Sequence, residues 1–170
     1  MFKIGITGAE STGKSTLAKA LRNYFDDSIL ISESARDFKK DDLHKCSTQY
    51  DILLAQLHQE LICTGNDIII CDRTLADNLM YLTNICPNQN KNLFNLVRNW
   101  IETYDLIFYT SIDNVQFVDD GFRFMNNDLR NKIDHDLKQF YNNNYILYKV
   151  LTGNEEKRLE TAIKIIDMVK

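Results

Sequence analysis

The stretch Gly8-Ala9-Glu10-Ser11-Thr12-Gly13-Lys14-Ser15 matches the pattern G-x-x-x-x-G-K-[ST]. It follows an apolar segment, residues 2–7, that has the composition of a β-strand, and it precedes a helix-like segment at 14–25. The two glycines allow the backbone to bend so that consecutive N–H groups face one anion, and a helix N-terminus adds partial positive charge. This strand–loop–helix setting predicts a phosphate-binding loop.

Two side chains of this loop have predicted chemical roles. Lys14 is expected to reach the β- and γ-phosphates of ATP, and the Ser15 hydroxyl is expected to hold Mg²⁺. The residues predicted to bind the nucleotide are consecutive in the chain, namely Gly8, Ala9, Glu10, Ser11, Thr12, Gly13, Lys14, Ser15 and Thr16. The alternative is a glycine-rich turn with a surface lysine.

The rest of the chain alternates apolar strand-like runs with helical segments. Strands are predicted at 2–7, 29–32, 67–71, 106–110 and 145–151, and further helices at about 48–64, 74–83, 92–103, 128–141 and 155–169. Strands that are apolar along their whole length suit a parallel sheet covered by helices on both faces. We therefore expect one α/β domain over residues 1–170.

Composition excludes several classes of protein. A net charge of −4 disfavours a general nucleic-acid coat protein, which is usually basic. No leader peptide and no apolar run of about 18 residues is present, so we expect a cytoplasmic protein without a membrane span. The four cysteines form no C-x-x-C pair and the histidines have no zinc-ligand spacing, which favours four reduced thiols.

Charged residues follow two of the predicted strands. In a doubly wound sheet the ligand crevice lies at the carboxyl ends of the strands. Asp72 is expected to hold the Mg²⁺ shell or orient a nucleophile, and Arg73 to clamp an anionic substrate. Glu33 is expected to accept a proton from an acceptor hydroxyl, with Arg36 holding Glu33 or binding substrate. The simpler alternatives are a helix cap at Asp72 and a surface ion pair of Glu33 with Arg36.

A polar segment at 113–127 follows the fourth strand, where phosphoryl-transfer enzymes often carry a closing segment. Gly121 allows a sharp turn, and Arg123 is predicted to neutralise charge on the transferred phosphoryl group. Arg130 is a second candidate for that role. The alternative is a solvated loop with incidental charges.

Taken in order, these motifs resemble one family. They are the phosphate loop, Glu33-x-x-Arg36, Asp72-Arg73-Thr74-Leu75-Ala76-Asp77-Asn78 and Val118-Asp119-Asp120-Gly121-x-Arg123. The set is similar to the P-loop kinase domain of NadR-type ribosylnicotinamide kinases and their small AAA-like relatives, over nearly the whole chain. The Asp72-Arg73 pair also resembles thymidylate kinases. The fused adenylyltransferase domain of the NadR-type enzyme has no counterpart in this sequence.

The resemblance implies a nucleoside-kinase fold with strand order 2-3-1-4-5 and transfer of the ATP γ-phosphate, with Mg²⁺, to a nucleoside-type hydroxyl. It matches Lys14 and Ser15 to the phosphate-loop pair and Asp72 to the strand-three acid. It also matches Asp120 and Arg123 to the closing segment, with Asp120 near the substrate.

Three readings of the function stay open at this point. A nucleoside acceptor needs a base, either Glu33 or Asp72. A nucleoside monophosphate acceptor needs several arginines instead, and the candidates are Arg36, Arg73, Arg98, Arg123 and Arg130. A nucleotide-dependent regulatory module is the third reading; a GTPase is disfavoured because 110–113 lacks the guanine-selecting lysine. The acidic chain also disfavours nucleic acid as a substrate, and a homo-oligomer stays open.

Overall fold

The computed structural model describes residues 1–63, 65, 67–87, 91–113, 115 and 126–170. The described strands are β1 (Phe2–Thr7), β2 (Ser28–Ile31), β3 (Ile68–Asp72), β4 (Leu106–Thr110) and β5 (Lys149–Leu151). The described α-helices are α1 (Lys14–Tyr24), α2 (Cys46–Ile62), α3 (Leu75–Ile85), α4 (Lys91–Ile101), α5 (Asn127–Asn143) and α6 (Glu155–Val169). None of these helices is long and apolar enough to cross a membrane.

The five strands form one sheet in the order β2-β3-β1-β4-β5, and each neighbouring pair is parallel. The predicted order and the α/β class are therefore confirmed. Because β1 pairs with β3 and with β4 in parallel, the carboxyl ends of these three strands lie at the same edge of the sheet. The phosphate-loop sequence starts at that edge.

Alternate residues of the strands pack against two different layers of helices. Ile68 and Ile70 of β3 join a core with α1 and α6, whereas Ile69 and Cys71 join the core that includes α2, α3, α4 and α5. A strand residue points to the opposite face from its neighbour, so a continuous apolar run is buried on both sides. The prediction of helices on both faces is confirmed.

The fifth strand is shorter than the sequence predicts, covering Lys149–Leu151 rather than 145–151. Tyr145 has a left-handed backbone with φ of 57° and donates its N–H to the Asn142 carbonyl. Ile146 likewise donates to the Tyr141 carbonyl. These turns continue the end of α5. The first apolar residues of the predicted strand, Tyr145 and Ile146, therefore belong to the turn that connects α5 to β5.

The cysteines also differ from expectation. Cys46 at the start of α2 and Cys86 after α3 form a disulfide, with Cα atoms 5.6 Å apart. The expectation of four reduced thiols is wrong for this pair, whereas Cys63 and Cys71 are free and buried. The two bonded cysteines are separated by 40 residues, and only the antiparallel packing of α2 on α3 brings them together.

Candidate active site

The phosphate-loop sequence folds into a tight loop because three of its residues have left-handed backbone. Gly8, Ser11 and Gly13 have φ of 141°, 55° and 86°. A Cβ on Gly8 would lie 2.3 Å from the carbonyl oxygen of Thr110, so only glycine fits there. The Thr12 hydroxyl hydrogen-bonds to the Ala9 carbonyl at 2.9 Å and to the Thr110 hydroxyl at 2.7 Å. These bonds hold the loop closed against the end of β4.

Lys14 lies inside this loop, as the sequence predicts for its position. It is buried, and its ammonium group donates to the Ala9 carbonyl within the loop. Burial, together with repulsion from Arg73, lowers the pKa of Lys14 to about 7. The ammonium therefore lies in a place where the anionic phosphates of a nucleotide would supply the missing counter-charge.

Asp72 ends β3 beside the first residues of α1. Its side chain is buried near the Ser15 hydroxyl, and its Oδ1 atom has no hydrogen-bond partner. Burial raises the pKa of Asp72, and the nearby Ser15 hydroxyl and Lys14 oppose that rise. A buried carboxylate oxygen without a partner, next to a serine hydroxyl, fits a hard cation such as Mg²⁺.

Such a cation would need further oxygen ligands from a bound nucleotide. Among the described residues, no cluster of three or more His, Cys, Asp or Glu side chains can hold a metal ion alone. In phosphoryl-transfer sites Mg²⁺ is usually coordinated by one or two protein ligands together with phosphate oxygens and water.

Glu33 follows β2 and is buried among arginines. Its Oε1 accepts a hydrogen bond from Arg73 Nε at 2.7 Å, and its Oε2 accepts one from Arg36 Nε at 3.2 Å. Arg73 is itself buried, whereas the Arg36 side chain is about half exposed. The predicted pairing of Glu33 with Arg36 is present, but the stronger partner is Arg73 from the neighbouring strand, so the surface-pair alternative does not describe Glu33.

Asp77 is a site residue that sequence reasoning missed. Thr74 and Asp77 have the sequence spacing of a capping box, with Asp in place of Glu, and that capping box is present at the start of α3. Its carboxylate also accepts a hydrogen bond from the Gly8 N–H at 3.1 Å and lies 3.7 Å from Arg73. Asp77 thus ties the phosphate loop to the start of α3. The only signal in the sequence is its position in the Asp72–Asn78 motif.

Two arginines from distant helices contact the carbonyl side of the loop. Arg130 of α5 donates to the Glu10 carbonyl at 3.1 Å and to the Val115 carbonyl at 3.3 Å. Arg158 of α6 donates to the Thr12 carbonyl at 2.7 Å. The sequence predicts Arg130 as a candidate to neutralise charge on the transferred phosphoryl group. It gives no prediction for Arg158, because a single arginine in an amphipathic helix belongs to no recognisable motif.

A cavity of about 360 Å³ lies beside the loop. Glu10 of the loop, Asn78 and Tyr81 of α3 form part of its wall, together with apolar side chains from α2 and α5. Its volume is that of a small-molecule site. Glu33 and Arg36 instead border a shallower groove along β2, and Ala35 is the residue of that turn that reaches the cavity.

The remaining predicted residues fall into two groups. Thr16 is exposed on α1, and Arg98 pairs with Glu102, the residue after its own helix, rather than lining the cavity. Asp120, Gly121 and Arg123 lie outside the described residues, so the closing segment stays a prediction.

The strand order, the left-handed loop after β1 and the acid after β3 define a P-loop nucleotide-binding α/β fold. Over residues 3–158 the chain matches a protein family described as an AAA domain, and it belongs to that family. None of the curated proteins compared with the chain matches it in sequence.

Solved structures of kinases share the fold at low sequence identity. Deoxyadenosine kinase from M. mycoides, with products dCMP and dCDP, is 17% identical with a TM-score of 0.67, covering 99% of this chain and 100% of its own. NadR in complex with NAD and AMP-PNP is 20% identical with a TM-score of 0.68; 99% of this chain spans 49% of NadR.

Thymidylate kinase from Candida albicans is 18% identical with a TM-score of 0.61, covering 98% of this chain and 91% of its own. At these identities the likeness establishes the fold, and the resemblance to P-loop nucleoside and nucleotide kinases is confirmed at that level.

Proposed function

We propose that this protein is an ATP-dependent kinase that transfers the γ-phosphate to a hydroxyl of a nucleoside-type acceptor, ribosylnicotinamide-like or another nucleoside. The observation that carries the proposal is one arrangement of charges. Lys14, Asp72, Glu33 and Arg73 come from three separate segments and interact electrostatically with one another. Next to them, Glu10 of the phosphate loop and Ala35 of the turn after Glu33 line a cavity of small-molecule size. The kinases that share the fold add support.

On the donor side, the loop N–H groups and Lys14 bind the phosphates of ATP. In phosphoryl transfer most of the rate comes from positioning and from electrostatic stabilisation of charge. Ser15 and Asp72 would hold Mg²⁺, which neutralises phosphate charge when bound. Arg130 and Arg158 donate to loop carbonyls, so they keep those carbonyls turned away from the anion.

On the acceptor side, Glu33 is the better candidate for the base. Asp72 lies near the Ser15 hydroxyl and suits a cation, whereas Glu33 lies one strand further out, next to the turn that reaches the cavity through Ala35. The two arginines that donate to Glu33 fix the position of its carboxylate. An ionised, fixed carboxylate can accept the proton of an attacking hydroxyl.

The arginines favour a nucleoside over a nucleoside monophosphate. Arg73 forms an ion pair with Glu33 and lies near Asp77, and Arg36 also pairs with Glu33. Arg130 donates to the backbone carbonyls of Glu10 and Val115. A phosphate acceptor would have to compete with those internal partners. Lys40 and His44 line the cavity, so a monophosphate bound there would depend on these two side chains.

A screen of nucleosides and their monophosphates with Mg-ATP, with ADP release as the readout, tests the proposal. We expect turnover with at least one nucleoside, loss of turnover by orders of magnitude in Lys14→Met, and normal turnover in Lys19→Met, an exposed lysine of the same helix. Turnover only with monophosphates would favour the second acceptor class. Nucleotide binding without turnover on any acceptor would favour a regulatory module and contradict the kinase.

A further inference from the structure

A carboxylate of α2 is fully buried near the start of β1, at the opposite end of that strand from the phosphate loop. The Glu60 side chain has no exposed surface, and Lys3 Nζ lies 2.8 Å from its Oε2. Trp100 Nε1 and the Tyr104 hydroxyl donate to it at 2.7 Å each, and Gln56 Nε2 donates at 3.0 Å. We call these five residues the Glu60 cluster. Four donors satisfy a carboxylate, so its buried charge is fully compensated.

Gln56 connects this cluster to the candidate active site. The same Nε2 atom that bonds to Glu60 donates to the Arg73 carbonyl at 2.7 Å, and Oε1 accepts from Asn78 Nδ2 at 2.7 Å. Asn78 lines the cavity beside the phosphate loop. Gln56 is almost completely buried, so each of these bonds forms without competition from bulk water.

Glu60 fixes which end of the Gln56 amide faces Arg73. A reversed amide would place Oε1 against the Glu60 carboxylate and the Arg73 carbonyl, and would place two N–H₂ groups, its own and that of Asn78, against each other. All three bonds would be lost. The charge of Glu60 therefore sets the orientation of Gln56, and Gln56 sets what Arg73 and Asn78 bind.

Arg73 needs such support because its backbone is in an unfavourable conformation. Its φ is 95°, which is rare for a residue with a side chain and persists only where the surroundings enforce it. The Arg73 N–H donates to the Ile6 carbonyl at 3.1 Å, and its own carbonyl accepts from Gln56. From this backbone the guanidinium reaches Glu33 at 2.7 Å.

We propose that Glu60 is a positioning residue for the phosphoryl transfer, acting through Gln56 to hold Arg73 and, through Arg73, the Glu33 carboxylate. The inference rests on the proposed kinase function. Glu60 lines neither the cavity nor the phosphate loop, so its effect passes through two other side chains. An apolar pair in place of Lys3 and Glu60 would fill the same space but would remove one of the three bonds that fix the orientation of the Gln56 amide.

Two variants break the connection at different points. Gln56→Leu keeps a side chain of similar size and removes its bonds to Arg73 and Asn78. The double variant Lys3→Met with Glu60→Gln removes both charges together, so that neither is left buried without its partner. Ile166→Ala, in the core on the other face of the sheet, is the matched control that lowers stability without touching these bonds.

The first measurement needs no enzymatic activity. Hydrogen exchange of the Arg73 Nε–H, followed by NMR, reports how firmly the guanidinium is held on Glu33. We expect exchange about tenfold faster or more in both variants, because the arginine opens locally, and unchanged exchange in Ile166→Ala. Wild-type exchange in both variants would overturn the inference, whether or not the protein is a kinase.

The second measurement separates a positioning role from a structural one. We expect kcat/KM for the acceptor to fall about tenfold or more in both variants, since small displacements of reacting groups are costly, with the nucleotide KM within about twofold. Ile166→Ala, assayed below its melting temperature, should keep wild-type kinetics. Faster Arg73 exchange with unchanged acceptor kinetics would overturn the inference. A wild-type protein inactive on every acceptor would refute the kinase instead, and the exchange data would still show whether Glu60 holds Arg73.

Discussion

Binding of a nucleotide to the phosphate loop is expected to take up a proton through Lys14. In the ligand-free protein the pKa of Lys14 is about 7, because the group is buried and repelled by Arg73. Phosphate anions next to the ammonium favour its charged form and move the pKa back upward. At pH 8 a group with that pKa is about 90% neutral, so binding should take up about 0.9 proton, against about 0.5 at pH 7 and close to none at pH 5.5.

Isothermal titration calorimetry measures this number directly. Mg-ADP is titrated into the protein in buffers of different ionisation enthalpy, and the slope of the observed binding enthalpy against buffer enthalpy gives the protons taken up. Lys19→Met, at an exposed position of the same helix, should give the wild-type slope. Lys14→Met should bind more weakly, with a slope near zero at pH 8.

The same pKa predicts how stability depends on pH. The folded pKa of about 7 lies below the unfolded value of 10.5, so between these values the unfolded chain binds more protons and stability rises with pH. Below pH 7 the charged Lys14 costs the ligand-free fold up to about 5 kcal/mol, from a shift of roughly 3.5 units at 1.36 kcal/mol each. Lys14→Met should therefore raise the free energy of unfolding at pH 7, and less so at pH 10. Proton uptake below about 0.1 at pH 8, or a less stable Lys14→Met, would refute this account of Lys14.

Three further predictions concern other groups. Glu33→Gln should lower kcat with the best nucleoside by a factor of about 10²–10⁴, because the proton acceptor is lost; full activity would remove Glu33 as the base and favour a monophosphate acceptor. Asp72→Asn should lower kcat strongly in a Mg²⁺ titration while nucleotide affinity changes little; a lower melting temperature with intact kcat would make Asp72 a structural cap. Reduction of the Cys46–Cys86 bond, or Cys86→Ser, should lower the free energy of unfolding by up to about 4 kcal/mol, since the bond closes a loop of about 40 residues in the unfolded chain. Titration of four free thiols in the native protein would contradict the disulfide itself.

The predictable parts of the candidate site are those whose chemistry is local in sequence. The phosphate loop needs glycine at positions 8 and 13 because of left-handed backbone, and the Thr74–Asp77 cap needs only two suitable residues three positions apart. Both could be read from short motifs. By contrast, a side chain at position 8 would also clash with Thr110, which is about a hundred residues away in the chain. That contact exists only because β1 and β4 are neighbours in the sheet.

The sequence by itself determined the α/β class, the parallel sheet, its strand order through the family resemblance, and the position of the phosphate loop. Hydrophobic periodicity and glycine geometry act over a few residues, so they survive in a one-dimensional pattern. Only the tertiary structure decided that Arg73 rather than Arg36 is the main partner of Glu33, that Asp77 bonds to the loop, and that Cys46 meets Cys86. It also decided that Glu60 and Lys3 form a buried ion pair and that Gln56 donates a hydrogen bond to Glu60. Apart from the bond between Gln56 and Glu60, these pairs are 40 to 69 positions apart in the chain. A pairing of that kind depends on which faces of the helices and strands meet, and no local pattern encodes that.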